Sequence, residues 1–177
     1  VSGHVVREPV ECFDIVPTTL ELAGVDEQHT HYARSMIPQL RGEAGDANRA
    51  VFAEGGYDMH EPHCFEGRSL DLGSLKPDHH YYPKGLQQQE HPESVCRSTM
   101  IRTLTHKLVR RTNGEHELYD LERDPHELKN VYGRPEYADT QRQLLEQMLD
   151  WYVHTADAVP WDADARGHPD EWLAPET

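Results

Sequence analysis

The chain has 177 residues, enough for one ordinary domain or one domain with a piece of another. Its 32 acidic side chains against 17 basic ones give a net charge of −15, which argues against a nucleic-acid partner, because such proteins need a basic footprint to displace counterions. Hydrophobic residues at 36% suffice for a core and exclude wholesale disorder, and no stretch approaches the roughly 20 apolar residues of a membrane span.

Residues 1–12 read as an extended entry, with Val5, Val6 and Val10 around Pro9. Asp14 reads as the N-cap of a short helix through Ile15, Val16, Leu20 and Leu22. Pro17 stands in its first turn, and Gly24 is the C-terminal stop. Ser35 to Leu40 forms one more helical turn before Gly42, and the polar connector 43–50 marks a boundary. Val51-Phe52-Ala53 is a strand running into Gly55-Gly56. From Asp58 to Ser94 the sequence loses periodicity and collects His, Pro, Tyr and Gly, the mark of a long functional loop.

Three strand-like runs follow: Ser98 to Leu104, Lys107 to Thr112 and Glu115 to Leu121. Asn113-Gly114 joins the last two as a hairpin turn, with positive φ expected at both turn residues. Asp124-Pro125-His126-Glu127 has the pattern of a helix start, and Pro135 opens a longer helix. That helix carries Leu144, Leu145, Met148, Leu149 and Tyr152 at spacings of three and four, one apolar stripe to lay on a sheet. Residues 159–177 form an acidic tail, with Trp161 and Trp172 among prolines. The expected class is α+β: an antiparallel sheet of about four strands with a packed C-terminal helix, preceded by a stub of a larger α/β domain.

Several runs resemble the C-terminal part of the formylglycine-dependent sulfatases, in the alkaline-phosphatase-like superfamily. Asp14-Ile15-Val16-Pro17-Thr18 through Leu22-Ala23-Gly24 is similar to one family segment, and Ser35-Met36-Ile37-Pro38 through Gly42 to another. Met100-Ile101-Arg102, Lys107-Leu108-Val109, and Glu117-Leu118-Tyr119-Asp120-Leu121 with Asp124-Pro125-His126-Glu127 and Asn130 resemble the family's closing stretch. The resemblance implies sulfate-ester hydrolysis by the full-length enzyme. It implies a formylglycine made from a Cys or Ser in a Cys/Ser-x-Pro-x-Arg motif, beside a calcium ion held by carboxylates. These parts belong to the family's N-terminal catalytic domain, which is the implied partner, with a sulfated small molecule or sugar as substrate. It also implies the division 1–50 as the end of the catalytic domain and 51–158 as the C-terminal subdomain, with 58–94 as a loop on the substrate side.

Of the three cysteines, Cys64 alone has Arg at the required offset, but Glu66 replaces the motif's Pro; it reads as an ordinary loop cysteine. Cys12 and Cys96 lack the motif, so no catalytic residue is assigned, and the chain by itself is expected to be inactive. His60-Glu61-Pro62-His63-Cys64 lacks the paired spacing of a zinc site, and no metal ligand is assigned. The loop's better reading is substrate selection: His60, His63, Tyr81, Tyr82 and Lys84 stack on or hydrogen-bond a sugar or aryl ring. Arg102 joins these candidates because it matches the family's strand arginine.

Between Ser94 and Gly114 the cations Arg97, Arg102, Lys107, Arg110 and Arg111 stand without an acid. They either draw an anionic substrate or pair with carboxylates elsewhere. Arg outnumbers Lys thirteen to four; an acid-rich, lysine-poor surface stays solvated in strong salt, which raises a halophilic source as a hypothesis that unfolding against salt tests. Two other readings stay open: a stand-alone interaction module of the same fold, and the C-terminal part of a phosphonate or phosphate monoester hydrolase.

Overall fold

The computed structural model describes residues 3–27, 31–65 and 76–156. The acidic tail 159–177 and the middle of the 58–94 loop lie outside the described residues. By internal contacts the chain divides into two compact units, Val1–Val51 with Arg142–Thr177, and Phe52–Gln141.

In the first unit, a 3-10 turn, Cys12–Asp14, runs into helix α1, Ile15–Ala23. Gly24 closes the helix in the left-handed conformation (φ +66°). The amides of Gly24 and Val25 donate to the carbonyls of Glu21 and Leu20. Asp14 does not cap α1 as the sequence suggests. Its own backbone is already helical, and its carboxylate reaches back to accept the Glu11 amide at 2.8 Å. Thr18 accepts the Met36 amide at 2.8 Å and so fixes the entry to helix α2, Ile37–Leu40.

The last helix, α4 (Ala138–Thr155), follows a 3-10 turn at Pro135–Tyr137 and crosses from the second unit into the first. Its buried line is narrower than the sequence stripe. Leu144 and Met148, four apart, are buried, while Leu149 is 63% exposed because it sits about 100° round the helix from Met148.

In the second unit the described strands form one sheet in the order β1 (Val51–Gly55), β2 (Ser98–Arg102), β3 (His106–Arg111), β4 (Glu117–Asp120). The β2–β3 and β3–β4 pairs are antiparallel. Alternation puts Ile101, Leu108 and Leu118 in register on one face, and all three are 0% exposed. Burying each contributes about 1.5–3 kcal/mol. The free edge of β4 is covered by its own downstream chain: Asn130 accepts the Leu118 amide at 3.0 Å and donates to the His116 carbonyl at 2.9 Å, and the Val131 amide donates to the Leu118 carbonyl.

Three local expectations are corrected. The β3–β4 connection is wider than a two-residue turn; only Gly114 has positive φ (+87°), and Asn113 instead accepts the Glu115 amide through its side chain. Asp124 to Glu127 is a turn, not a helix start. Asp124 accepts the Lys129 amide at 2.7 Å, and Glu127 adopts a left-handed φ of +56° that no helix can continue through. The 58–94 stretch is not structureless, since it holds helix α3, Tyr82–Glu90, and 3-10 turns at Pro62–Cys64 and Pro92–Ser94. Its polar, Gln-rich helix carries too few apolar residues to leave a periodic signal.

Candidate functional site

The site is built where the segment after β1 meets the entry to β2. Gly56 has φ +84°, and a Cβ there would fall 2.0 Å from the Cys96 carbonyl oxygen, so only glycine allows this approach. Glu61 latches the segment down: one carboxylate oxygen accepts the Asp58 amide at 2.7 Å, and the other accepts Arg97 Nη2 at 2.5 Å. The Asp58 amide and then Arg97 hold the Glu61 carboxyl below the usual glutamate value. Phe65 is buried with its ring 5.9 Å from Tyr57, whose hydroxyl accepts the Gln88 side chain at 3.0 Å. Gln88 lies buried on α3, so the loop and helix are fixed to each other.

α3 opens on a stack of rings. His79 and His80 are 4.5 Å apart between centroids, and His80 and Tyr81 4.2 Å. The Tyr81 amide donates to His79 Nδ1 at 3.2 Å, and Lys84 Nζ stands 5.9 Å from the Tyr81 ring. Tyr81 is 47% exposed, leaving an aromatic surface with a cation beside it, the arrangement that stacks on a sugar ring and bonds its hydroxyls.

The candidates from the sequence therefore fall into three places. Tyr81 and Lys84 meet at the start of α3, with Tyr82 half-buried as its first residue. His60 and His63 are exposed on the latched segment, His60 donating its amide to Asp58 at 2.9 Å. Arg102 ends β2, five residues beyond Arg97 and roughly 16 Å along the strand. There its guanidinium approaches Glu127 at 4.0 Å, and Lys107 pairs with the same carboxylate. His79 and His80, two more of the loop histidines, join the ring stack, and the Glu61–Arg97 latch is an addition of the structure. Partners 36 residues apart leave no local trace in sequence.

Among the described residues no group of three His, Cys, Asp or Glu side chains is placed to hold a metal. The most buried carboxylates are already engaged, Asp14 by Arg49 and two amides, Asp120 by Tyr137 and the Arg123 amide.

The second unit is thus a sheet edged by its own downstream chain, with a latched loop that carries aromatic and cationic side chains. Residues 74–154 match the family described as N-sulphoglucosamine sulphohydrolase, C-terminal. That stretch is a sulfatase C-terminal domain. The chain is 30% identical over 154 residues to the N-acetylglucosamine-6-O-sulfatase of Bacteroides thetaiotaomicron, covering 83% of this chain but 22% of that protein. It superposes on the phosphonate monoester hydrolase of Silicibacter pomeroyi with a TM-score of 0.60 at 26% identity, covering 89% of this chain and 28% of that one. It also superposes on a protein solved in complex with its substrate D-glucosamine-2-N,6-O-disulfate, with a TM-score of 0.55 at 26% identity over 85% of this chain and 25% of that one. The chain spans about a quarter of the length of the proteins it resembles.

Proposed function

We propose that this chain supplies the C-terminal part of a sulfatase, closing the catalytic domain and helping to choose the sulfated substrate, without catalytic residues of its own. The observation that carries the reading is an exposed apolar arc on α1, left uncovered among the described residues. Ile15, Val16 and Leu22 lie within about 120° of one helix face and are 58%, 55% and 68% exposed, and Phe13 beside them is 72% exposed. Soluble domains rarely leave so much contiguous apolar surface in water. The relatives' extra three-quarters of chain supports its occupant as the N-terminal α/β domain, which would also bring the formylglycine and calcium. Sulfated amino sugars are the proposed substrate class. The names of two relatives support that, as does the ring-and-cation platform at Tyr81 and Lys84.

The similarity to a phosphonate monoester hydrolase supports a second reading, in which the same domain closes a phosphonate or phosphate esterase. The test mixes this chain with a separately expressed N-terminal sulfatase domain and assays an aryl sulfate beside a phenyl phosphonate ester. A stable complex that turns over the sulfate ester supports the first reading, and preferential phosphonate turnover supports the second. No complex and no turnover leaves the stand-alone module.

A further inference from the structure

At the far end of β4 from the hairpin, the second unit holds a pocket of about 240 Å³ between the turn that follows Asp120 and the 3-10 turn before α4. Its charges are unevenly engaged. Asp120 accepts the Arg123 amide at 3.1 Å and the Tyr137 hydroxyl at 2.9 Å, with Arg123 Nε 3.6 Å away. Asp124 accepts the Lys129 amide at 2.7 Å. Arg134, a half-buried residue, and the exposed Lys129 also line the pocket, and neither side chain has a hydrogen-bond or ion-pair partner among the described residues. A guanidinium carries five donors in a planar fork, and those of Arg134 are left open to an acceptor entering the pocket.

We propose that this pocket binds a small oxyanion-bearing molecule, a carboxylate or a sulfate, with Arg134 and Lys129 as its anchors. The planar fork of Arg134 suits the two parallel oxygens of either group, and Lys129 adds a point charge. The volume lies below the roughly 300 Å³ at which pockets for larger ligands begin, so the occupant is a free anion or one acidic sugar unit, not a peptide or a polymer chain. Tyr137 also lines the pocket and adds an aromatic side chain of the type that packs against sugar rings. Three lining carboxylates work against the anion: Asp120 and Asp124, which already accept the hydrogen bonds above, and Glu136, which is exposed and has no partner among the described residues. The site lies outside the Tyr81–Lys84 platform and does not depend on which ester the assembled enzyme cleaves.

The test titrates the 177-residue chain with sodium sulfate and with sodium glucuronate at constant ionic strength, following backbone amide NMR shifts and heats of binding. Saturable shifts at Val131, Arg134 and Tyr137 are expected. Arg134→Ala weakens binding by about tenfold or more, and Lys129→Ala weakens it less. Glu136→Gln tightens it by about twofold, the opposite of what a cation site would show. Arg41→Ala, an exposed cation in the other unit, leaves it unchanged. Should Arg134→Ala disturb the spectrum, Arg134→Gln, which keeps the stem, takes its place. Equal affinity for the two probes means that the oxyanion alone is read; preference for glucuronate means that the sugar ring is read too. An absence of saturation with both probes overturns the proposal, as does wild-type affinity in the Arg134 variants, or tighter binding of calcium than of either anion.

Discussion

Arg49→Met should cost the first unit about 3 kcal/mol, and the figure follows from what it strands. The Asp14 carboxylate is 0% exposed and accepts four hydrogen bonds, from Arg49 Nη1 at 2.6 Å, Arg49 Nη2 at 2.9 Å, and the Glu11 and Arg34 amides at 2.8 Å each. Arg49 is itself buried and reaches Glu11 at 3.2 Å. Removing one partner of a buried pair generally costs about 3–5 kcal/mol, because the remaining charge stays uncompensated. The two amides still hold Asp14, which puts this case at the low end. For a chain of this size that lowers Tm by roughly 6–12 °C, read by fluorescence of Trp151, which belongs to the same unit.

The pH dependence sharpens the test. Burial alone would raise the Asp14 pKa, but Arg49 and the two amides outweigh it, so the folded value lies below the ordinary 3.8. A lowered folded pKa contributes stability that is present above the unfolded value and lost as pH falls through the folded one. The difference between wild type and Arg49→Met should therefore be largest near neutrality and shrink below about pH 3.8. The double variant Asp14→Leu/Arg49→Met should lose less than the sum of the single changes by at least about 1 kcal/mol. A cost under about 1 kcal/mol at pH 7, or a difference that stays constant into acid, would refute the reasoning.

Gly56→Ala and Gly114→Ala both place a side chain at positive φ, but only the first meets the Cys96 carbonyl; urea unfolding should show a loss above about 2 kcal/mol for Gly56→Ala and about 1 kcal/mol for Gly114→Ala, and equal losses would discount the close approach. Tyr137→Phe removes a hydrogen bond to Asp120 and should cost about 1 kcal/mol near neutrality. Burial opposes, but the Arg123 amide and the Tyr137 hydroxyl hold Asp120 below the usual value, so this loss should fade in acid, and a loss that grows as pH falls would contradict it. In the assembled enzyme, Tyr81→Ala should raise KM by about tenfold at unchanged kcat, with Tyr81→Phe near wild type; a fall in kcat alone would remove Tyr81 from substrate binding.

Legibility in this sequence follows the range of the interaction. Gly24, Pro17 and the alternation through Ile101, Leu108 and Leu118 are local devices, and they specify α1 and the strands as expected. Asp124-Pro125-His126-Glu127 misleads because capping residues also make turns. What decides between the two is the left-handed Glu127, held by Lys107 from β3, and no local pattern carries that contact. The site is less legible still. Tyr81 and Lys84 announce themselves by type, yet His80 joins them only because α3 starts where it does, and the loop keeps its shape through Glu61–Arg97 and Tyr57–Gln88.

A local motif such as Asp14 through Gly24 builds a helix, but its outward Ile15, Val16 and Leu22 are covered by nothing among the described residues. Placing three large apolar side chains in water forgoes about 1.5–3 kcal/mol each relative to burying them, and nothing in the helix's own stability returns it. Under the proposed docking, a covering surface supplied by another domain would restore the balance. The arc then sets a quantitative demand: Ile15→Ser with Leu22→Ser should leave the stability of this chain nearly unchanged while weakening its complex with the catalytic domain by about a hundredfold. If the double variant instead unfolds the chain and leaves the complex intact, the arc is part of an internal core and the docking argument fails.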